Sequence, residues 1–125
     1  MLPEIYWLNQ IKTGRLAIMP RPRGDDWLPD EIVGLRQLGV DILVSLLEYS
    51  EIIELGLQSE KRLCEQNHIQ FFQFPIKDRS VPSSIMETLT FIRPLVEQLQ
   101  NGKHLAIHCR AGIGRSALIV AGVMV

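Results

Sequence analysis

The chain has 125 residues, of which 46% are hydrophobic and 22% charged, and its formal net charge is −1. This length and composition predict one domain over residues 1–125, and the near-neutral charge argues against a general nucleic-acid or membrane-surface binder. Only two cysteines, no signal-peptide pattern, and an apolar tail too short to cross a bilayer together favour a cytoplasmic protein without a membrane span.

Apolar periodicity along the chain predicts strands that alternate with helices. Strands are predicted at residues 5–8, 15–19, 41–47, 69–74 and 105–108. Helices are predicted at 29–38, within a weakly patterned stretch at 50–66, at 85–99, and from about residue 115 onward. Pro94 falls inside the third of these and is expected to kink that helix or split it near Thr90.

This alternation indicates an α/β domain in which a mostly parallel central sheet is flanked by helices. Sheets of this kind bind ligands beyond the carboxyl ends of their strands. We therefore expect a functional site where the last strand, ending at His108, leads into the following helix.

The most specific pattern of the chain lies at that junction, in the sequence HCRAGIGRS at 108–116. Five residues separate Cys109 from Arg115, and their backbone N–H groups can converge with a helix N-terminus on one tetrahedral oxyanion such as phosphate. Gly112 and Gly114 suit such a curl because glycine tolerates positive φ and close approach of a ligand. The spacing therefore predicts a phosphate-binding loop.

Each residue type in this loop has a chemical reason to be there. A cysteine in a positive field is a thiolate nucleophile at neutral pH, which makes Cys109 the predicted attacking group. The planar fork of Arg115 can pair with two phosphate oxygens at once. The mechanism needs no metal and no cofactor. The predicted substrate-binding residues are Arg110, Ala111, Gly112, Ile113, Gly114 and Arg115.

The segment resembles the signature of the cysteine-dependent protein tyrosine phosphatase superfamily, which is His-Cys, five residues, Arg-Ser/Thr. The order of elements is most similar to the small atypical dual-specificity branch, including the kinase-associated phosphatase and its bacterial and archaeal relatives. The resemblance implies an α/β phosphatase domain and a phosphorylated protein or peptide as substrate. It also implies that Ser116 assists the thiolate when the phosphocysteine is hydrolysed.

Cleavage of a phosphate ester also needs a proton for the leaving oxygen, which a nearby carboxylic acid can supply. Asp78 is the predicted general acid, because it lies in the loop 75–82 directly after the aromatic strand, where the superfamily carries this group. Glu48, after the strand at 41–47, is the second candidate, although a solvated surface glutamate is its simpler interpretation. His108 is expected to have a structural role, and Cys64 to be a partly buried structural cysteine.

The sequence thus predicts a phosphomonoester hydrolase that acts on phosphotyrosine and phosphoserine/threonine of proteins through a phosphocysteine. Three alternatives stay open: a phosphoinositide phosphatase, an RNA 5′-phosphate phosphatase, and a phosphate-binding module with little turnover. Arg110 is a weak signal for a more anionic substrate. Because the chain ends nine residues past Ser116, the domain is expected to be truncated at its C-terminus. The oligomeric state is left open.

Overall fold

The computed structural model describes residues 3, 5–11, 14–76, 85–110, 115–116 and 119–120. The strands are β1 (Tyr6–Ile11), β2 (Gly14–Pro20), β3 (Ile42–Ser45), β4 (Gln70–Gln73) and β5 (His104–Cys109). The helices are α1 (Leu28–Gln37), α2 (Tyr49–Glu54), α3 (Glu60–Gln66) and α4 (Ile85–Gln100), with one turn of 3-10 helix at Asp25–Trp27. The backbone is also helical at residues 115–116 and 119–120.

The five strands form one sheet in the order β1-β2-β5-β3-β4. Neighbouring strands from β2 to β4 are parallel, and only β1 runs antiparallel, as the edge partner of β2. A short turn is enough to join β1 to β2, whereas parallel neighbours need longer crossovers, which the helices supply. The α/β architecture with a mostly parallel sheet is therefore confirmed, with one antiparallel edge.

The sheet is buried on both faces. Side chains of α1 and α3, including Ile32, Leu35 and Leu63, pack with Ala106 on one face. Side chains of α4, including Leu95, pack with the neighbours of Ala106 on β5, which point to the other face. Burial on both faces explains why the two central strands, β3 and β5, are nearly continuous runs of buried residues rather than alternating ones.

The stretch at 50–66 is helical as expected, and it contains two helices because the chain turns at Gly56, where φ is +69°. One expectation about the helices needs correction. Helix α4 runs unbroken through Pro94 and is not split near Thr90. Pro94 has no N–H to donate to the preceding turn, but packing of Leu95 and Leu99 into the core outweighs that loss.

The carboxyl ends of the parallel strands meet at one edge, which positions the site. The N–H of Leu46, after β3, donates to the carbonyl of His108 on β5 at 3.0 Å. The N–H of Ile76, after β4, donates to the carbonyl of Leu46 at 3.1 Å. The segments that follow β3 and β4 are thus tied to the end of β5. None of the described helices is long and apolar enough to cross a membrane.

Candidate active site

Cys109 is the last residue of β5 and lies at the meeting point of the strand ends. Its side chain is buried and belongs to the same core cluster as Leu105 and Ile107, on the α4 face of the sheet. Its backbone is in register with Pro20, the last residue of β2. The nucleophile predicted from the sequence is therefore held by a strand that is paired on both sides.

Arg115 reaches back over this edge and is only 4% exposed. Its Nη1 donates to Oε1 of Glu51 at 2.7 Å and its Nη2 to Oε2 of the same carboxylate at 3.0 Å. Nη1 also donates to the carbonyl of Ile76 at 2.8 Å. These contacts connect the loop that follows β5 with α2 and with the segment that follows β4.

The guanidinium of Arg115 is held in a fixed orientation by two groups. Glu51 takes one N–H from each terminal nitrogen, and the carbonyl of Ile76 takes the second N–H of Nη1. The two parallel N–H groups that bind the Glu51 carboxylate are the same arrangement by which an arginine can pair with two oxygens of a phosphate.

Glu51 is positioned by α2, which begins directly after the segment that leaves β3. Glu48 is the N-cap of this helix and Glu51 is its N3 residue, the spacing of a capping box. Oε1 of Glu51 accepts the backbone N–H of Glu48 at 3.0 Å. The hydrogen bonds from Arg115, and secondarily the one from the Glu48 backbone, lower the pKa of Glu51 although its burial acts in the opposite direction.

Replacing Glu51 with glutamine should destabilise the protein at neutral pH, because Arg115 would then be a buried cation without its counter-charge. We expect a loss of about 3 kcal/mol in the free energy of unfolding at pH 7, measured by urea denaturation. The pKa of Glu51 is lowered from its usual value of 4.5. The stabilisation is therefore complete above that pH and is lost as the pH falls through the lower folded-state pKa.

The difference between the wild type and Glu51→Gln should accordingly shrink below about pH 4.5. Glu65→Gln, on the exposed side of α3, is the matched control and should change little. A difference for Glu51→Gln that stays constant over the acidic range would show that Arg115 does not depend on an ionised Glu51.

A second arginine of the loop is also held by α2. Arg110 directly follows Cys109, and its Nη1 and Nη2 each donate to one oxygen of Glu54 at 2.8 Å. This pair is much more exposed than the Arg115–Glu51 pair. Nη1 of Arg110 also lies 4.0 Å from Oε2 of Glu51. Glu51 and Glu54 are one helical turn apart, so α2 presents two carboxylates to two arginines.

His108 points to the face of the sheet opposite to Cys109. Its Nε2 lies 2.6 Å from Oε2 of Glu60, the first residue of α3, and both side chains are almost completely buried. A buried carboxylate requires such a partner, so the pair ties the end of β5 to α3. The geometry gives His108 a structural position, as expected. The sequence did not identify Glu60 as its partner.

Cys64 lies in α3 and packs into the core on the α1 face, whereas Cys109 belongs to the core on the α4 face. The two cysteines, both in the described part of the chain, are not joined by a disulfide. Burial, with smaller contributions from Glu60 and Glu65, raises the pKa of the Cys64 thiol. Cys64 is thus a neutral core side chain, which confirms its structural interpretation.

Ser116 is fully buried, and its hydroxyl has no hydrogen-bond partner within the described residues. The expected loop residues Ala111, Gly112, Ile113 and Gly114 lie outside the described residues, and so does the expected general acid Asp78. Ile76 is described, however, and it contacts Arg115 two positions before Asp78. No group of three His, Cys, Asp or Glu side chains that could hold a metal ion occurs among the described residues.

Glu51 and Glu54 are the site residues that sequence reasoning did not find. A signal for them was present: both lie just beyond the carboxyl end of a buried strand, where ligand-binding groups of parallel sheets cluster. Their spacing of three places them on one helix face. Glu48, which was considered instead, lies at the same edge of the sheet but caps α2.

The match to a known family agrees with this geometry. A family profile described as "Tc-R-P: Polymorphic toxin system, DSP-PTPase phosphatase" matches residues 17–125, which includes the last three predicted strands, most of the second and the whole of the loop sequence. The chain belongs to this family. The predicted membership of a small cysteine-dependent phosphatase group is therefore confirmed.

Individual proteins that are similar to this DSP-PTPase family member are also phosphatases by name. A candidate tyrosine phosphatase, 197R of Invertebrate iridescent virus 6, is 40% identical over 78 residues, which are 58% of this chain and 29% of the viral protein. The chain thus spans less than a third of the length of that relative. A solved structure of the kinase associated phosphatase, with its catalytic cysteine replaced by serine, covers 99% of this chain at a TM-score of 0.89 and 20% identity, and 74% of that chain is matched.

The phosphatase Tk-PTP, solved in its active form, has 26% identity and a TM-score of 0.68, with 88% of this chain and 67% of that chain covered. The high TM-score of the kinase associated phosphatase shows a shared fold, which is the fold predicted from the sequence. The described arrangement of strands and helices is therefore a known architecture.

Proposed function

We propose that the protein is a phosphomonoester hydrolase that removes phosphate from phosphotyrosine and phosphoserine/threonine of proteins through a phosphocysteine. The observation that carries the proposal is the position of Arg115. Its guanidinium is held by Glu51 and by the carbonyl of Ile76 at the carboxyl end of β5, where Cys109 ends the strand. A nucleophile and a two-point phosphate donor therefore belong to one edge of the sheet.

In the first step, the sulfur of Cys109 attacks phosphorus, a P–S bond forms, and the bond from phosphorus to the ester oxygen breaks. Arg115 and the backbone N–H groups of the loop 110–115 bind the three other phosphoryl oxygens. Their hydrogen bonds strengthen as negative charge redistributes in the transition state. Splitting one difficult displacement into two easier ones is the advantage of the covalent intermediate.

The leaving oxygen takes its proton from Asp78 in this proposal. Support comes from Ile76, two residues before Asp78, because its carbonyl accepts a hydrogen bond from Arg115. The covalent chain allows at most about 7.6 Å between the Cα atoms of residues 76 and 78. The chain length therefore allows a carboxyl side chain at position 78 to reach a phosphate bound to Arg115, which supports the proposed role of Asp78.

In the second step, water attacks phosphorus, Asp78 takes a proton from that water, and the P–S bond breaks with Cys109 leaving as thiolate. Ser116 is proposed to donate its O–H to the departing sulfur. Its hydroxyl is completely buried and has no other partner in the described part of the chain. A buried donor of this kind costs free energy unless it is used, which supports a role in this step.

Asp78→Asn should lower kcat by about a hundred- to a thousandfold for a phosphotyrosyl peptide, because the leaving oxygen loses its proton donor. The loss should be smaller for an activated leaving group such as nitrophenolate, which departs without protonation. The basic limb of the pH–rate profile should also flatten. If the profile of Asp78→Asn keeps that limb, another carboxyl group is the acid, and Glu48→Gln is the variant to compare.

The substrate class is tested by turnover on three panels: phosphopeptides, phosphoinositides and RNA with a 5′-triphosphate end. The proposal expects phosphopeptides with either phosphotyrosine or phosphoserine/threonine to be the best substrates. Preference for phosphoinositides or for RNA would show that the protein acts on that substrate class instead, by the same phosphocysteine chemistry. Binding of phosphate without turnover on any panel would favour a phosphate-recognising module.

Thiolate chemistry at Cys109 is compatible with the reducing cytoplasm.

A further inference from the structure

Four charged side chains form a compact group between α2 and the residues that follow Cys109. Arg115 pairs with Glu51, Arg110 pairs with Glu54, and Nη1 of Arg110 lies 4.0 Å from the Glu51 carboxylate. Glu51 therefore lies between the two guanidinium groups. The charges of the four side chains cancel, so the second arginine adds no net positive charge beside the first.

The two pairs differ in what holds them. The Arg115–Glu51 pair is buried and also supported by the Ile76 carbonyl. The Arg110–Glu54 pair is at the surface, with Arg110 about a third and Glu54 more than half exposed. The hydrogen bonds and charge of Arg110 lower the pKa of Glu54, which keeps the carboxylate ionised. Exposed pairs of this kind are weak and open readily.

We infer that Glu54 is a specificity-determining residue, which holds Arg110 on α2 so that the loop meets its substrate with one phosphate-binding arginine and not two. The inference rests on the proposed function. A single phosphate needs only Arg115 and the loop amides. A substrate with a second phosphate next to the scissile one needs a second cation, and that cation is engaged by Glu54. The site then selects singly phosphorylated esters.

The test uses protein with Cys109→Ser, so that anion binding is measured by calorimetry without turnover. The probes are inorganic phosphate and pyrophosphate, which differ by one adjacent phosphate. Glu54→Gln should tighten pyrophosphate binding relative to phosphate by up to about fivefold, the size of effect that an exposed ion pair supplies. Glu54→Asp, which keeps the charge, should retain most of the wild-type ratio.

Two further variants separate this role from a general effect of charge. Glu54→Gln combined with Arg110→Gln should lose the gain, because no arginine is released. Glu65→Gln removes the same charge from an exposed position on α3 and should leave the ratio of the two affinities unchanged. A merely structural role of Glu54 would alter both affinities together and would not move their ratio.

Turnover is then measured with an intact Cys109. Glu54→Gln should raise kcat/KM for a peptide that carries a second phosphate next to the scissile one, relative to kcat/KM for the singly phosphorylated peptide. An unchanged affinity ratio in Glu54→Gln, with both anions still bound and phosphopeptides still hydrolysed, would overturn the inference and leave the proposed function standing. Failure of the Cys109→Ser protein to bind either anion would overturn the proposed function, and the inference with it.

Discussion

Cys109→Ser should abolish turnover of an aryl phosphate while phosphate still binds. We expect kcat to fall by at least about ten-thousandfold, because a serine hydroxyl is not ionised near neutral pH and the loss of a catalytic nucleophile has effects of this order. Arg115 keeps its contacts with Glu51 and Ile76 in this variant, so the orientation of its guanidinium survives. The affinity for phosphate should therefore change by only a few-fold, about 1 kcal/mol or less.

Cys64 is the internal control for this prediction, since it is fully buried in the opposite core and its pKa is raised. Cys64→Ala should leave turnover nearly unchanged if the protein folds. Iodoacetate should modify Cys109 before Cys64, and phosphate or vanadate should slow only the reaction at Cys109. Substantial activity of Cys109→Ser, or equal protection of both thiols by phosphate, would contradict a covalent mechanism at Cys109.

Arg115→Lys should reduce kcat/KM by about a hundredfold or more, the loss expected when an oriented donor to the transition state is removed. Lysine keeps the positive charge but lacks the planar fork. It can therefore satisfy neither the two oxygens of Glu51 nor two oxygens of phosphate with parallel hydrogen bonds. Inhibition by phosphate and vanadate should weaken together with turnover.

The matched control is Arg36→Lys, because Arg36 also pairs with a carboxylate, Asp41, at 2.9 Å, but at the opposite end of the sheet. It should change kcat/KM little. Thermal unfolding of both variants separates a loss of folded protein from a loss of chemistry. If folded Arg115→Lys retains wild-type activity and wild-type inhibition by phosphate, the proposed role of Arg115 is wrong.

The order of strands and helices and the position of Cys109 at the end of a strand could be predicted from the sequence, because each depends on local patterns. The runs of buried residues in β3 and β5 are nearly continuous since both faces of the sheet are covered there. The loop at 108–116 combines a strand end, two glycines and a helix start within nine residues. The strands and the loop that follows Cys109 could therefore be located from short stretches of sequence.

The partners of the two arginines could not be predicted in the same way. Whether Glu51 is a buried counter-ion or a solvated helix residue depends on how α2 sits against the loop after β5, and these segments are 64 residues apart in the chain. The same holds for Glu60 and His108, which are 48 residues apart. Helix α4 shows the converse, because tertiary packing overrides the local signal for a break at Pro94.

The central claim is a phosphocysteine at Cys109, and mass spectrometry of acid-quenched reactions tests it most directly. Protein mixed with a phosphotyrosyl peptide, quenched within milliseconds and digested, should yield the peptide that contains Cys109 with one added phosphoryl group. Asp78→Asn should still show it, and Cys109→Ser should lack it. Rapid release of phosphate with no adduct on the Cys109 peptide at any quench time, or an adduct on another residue, would contradict the account.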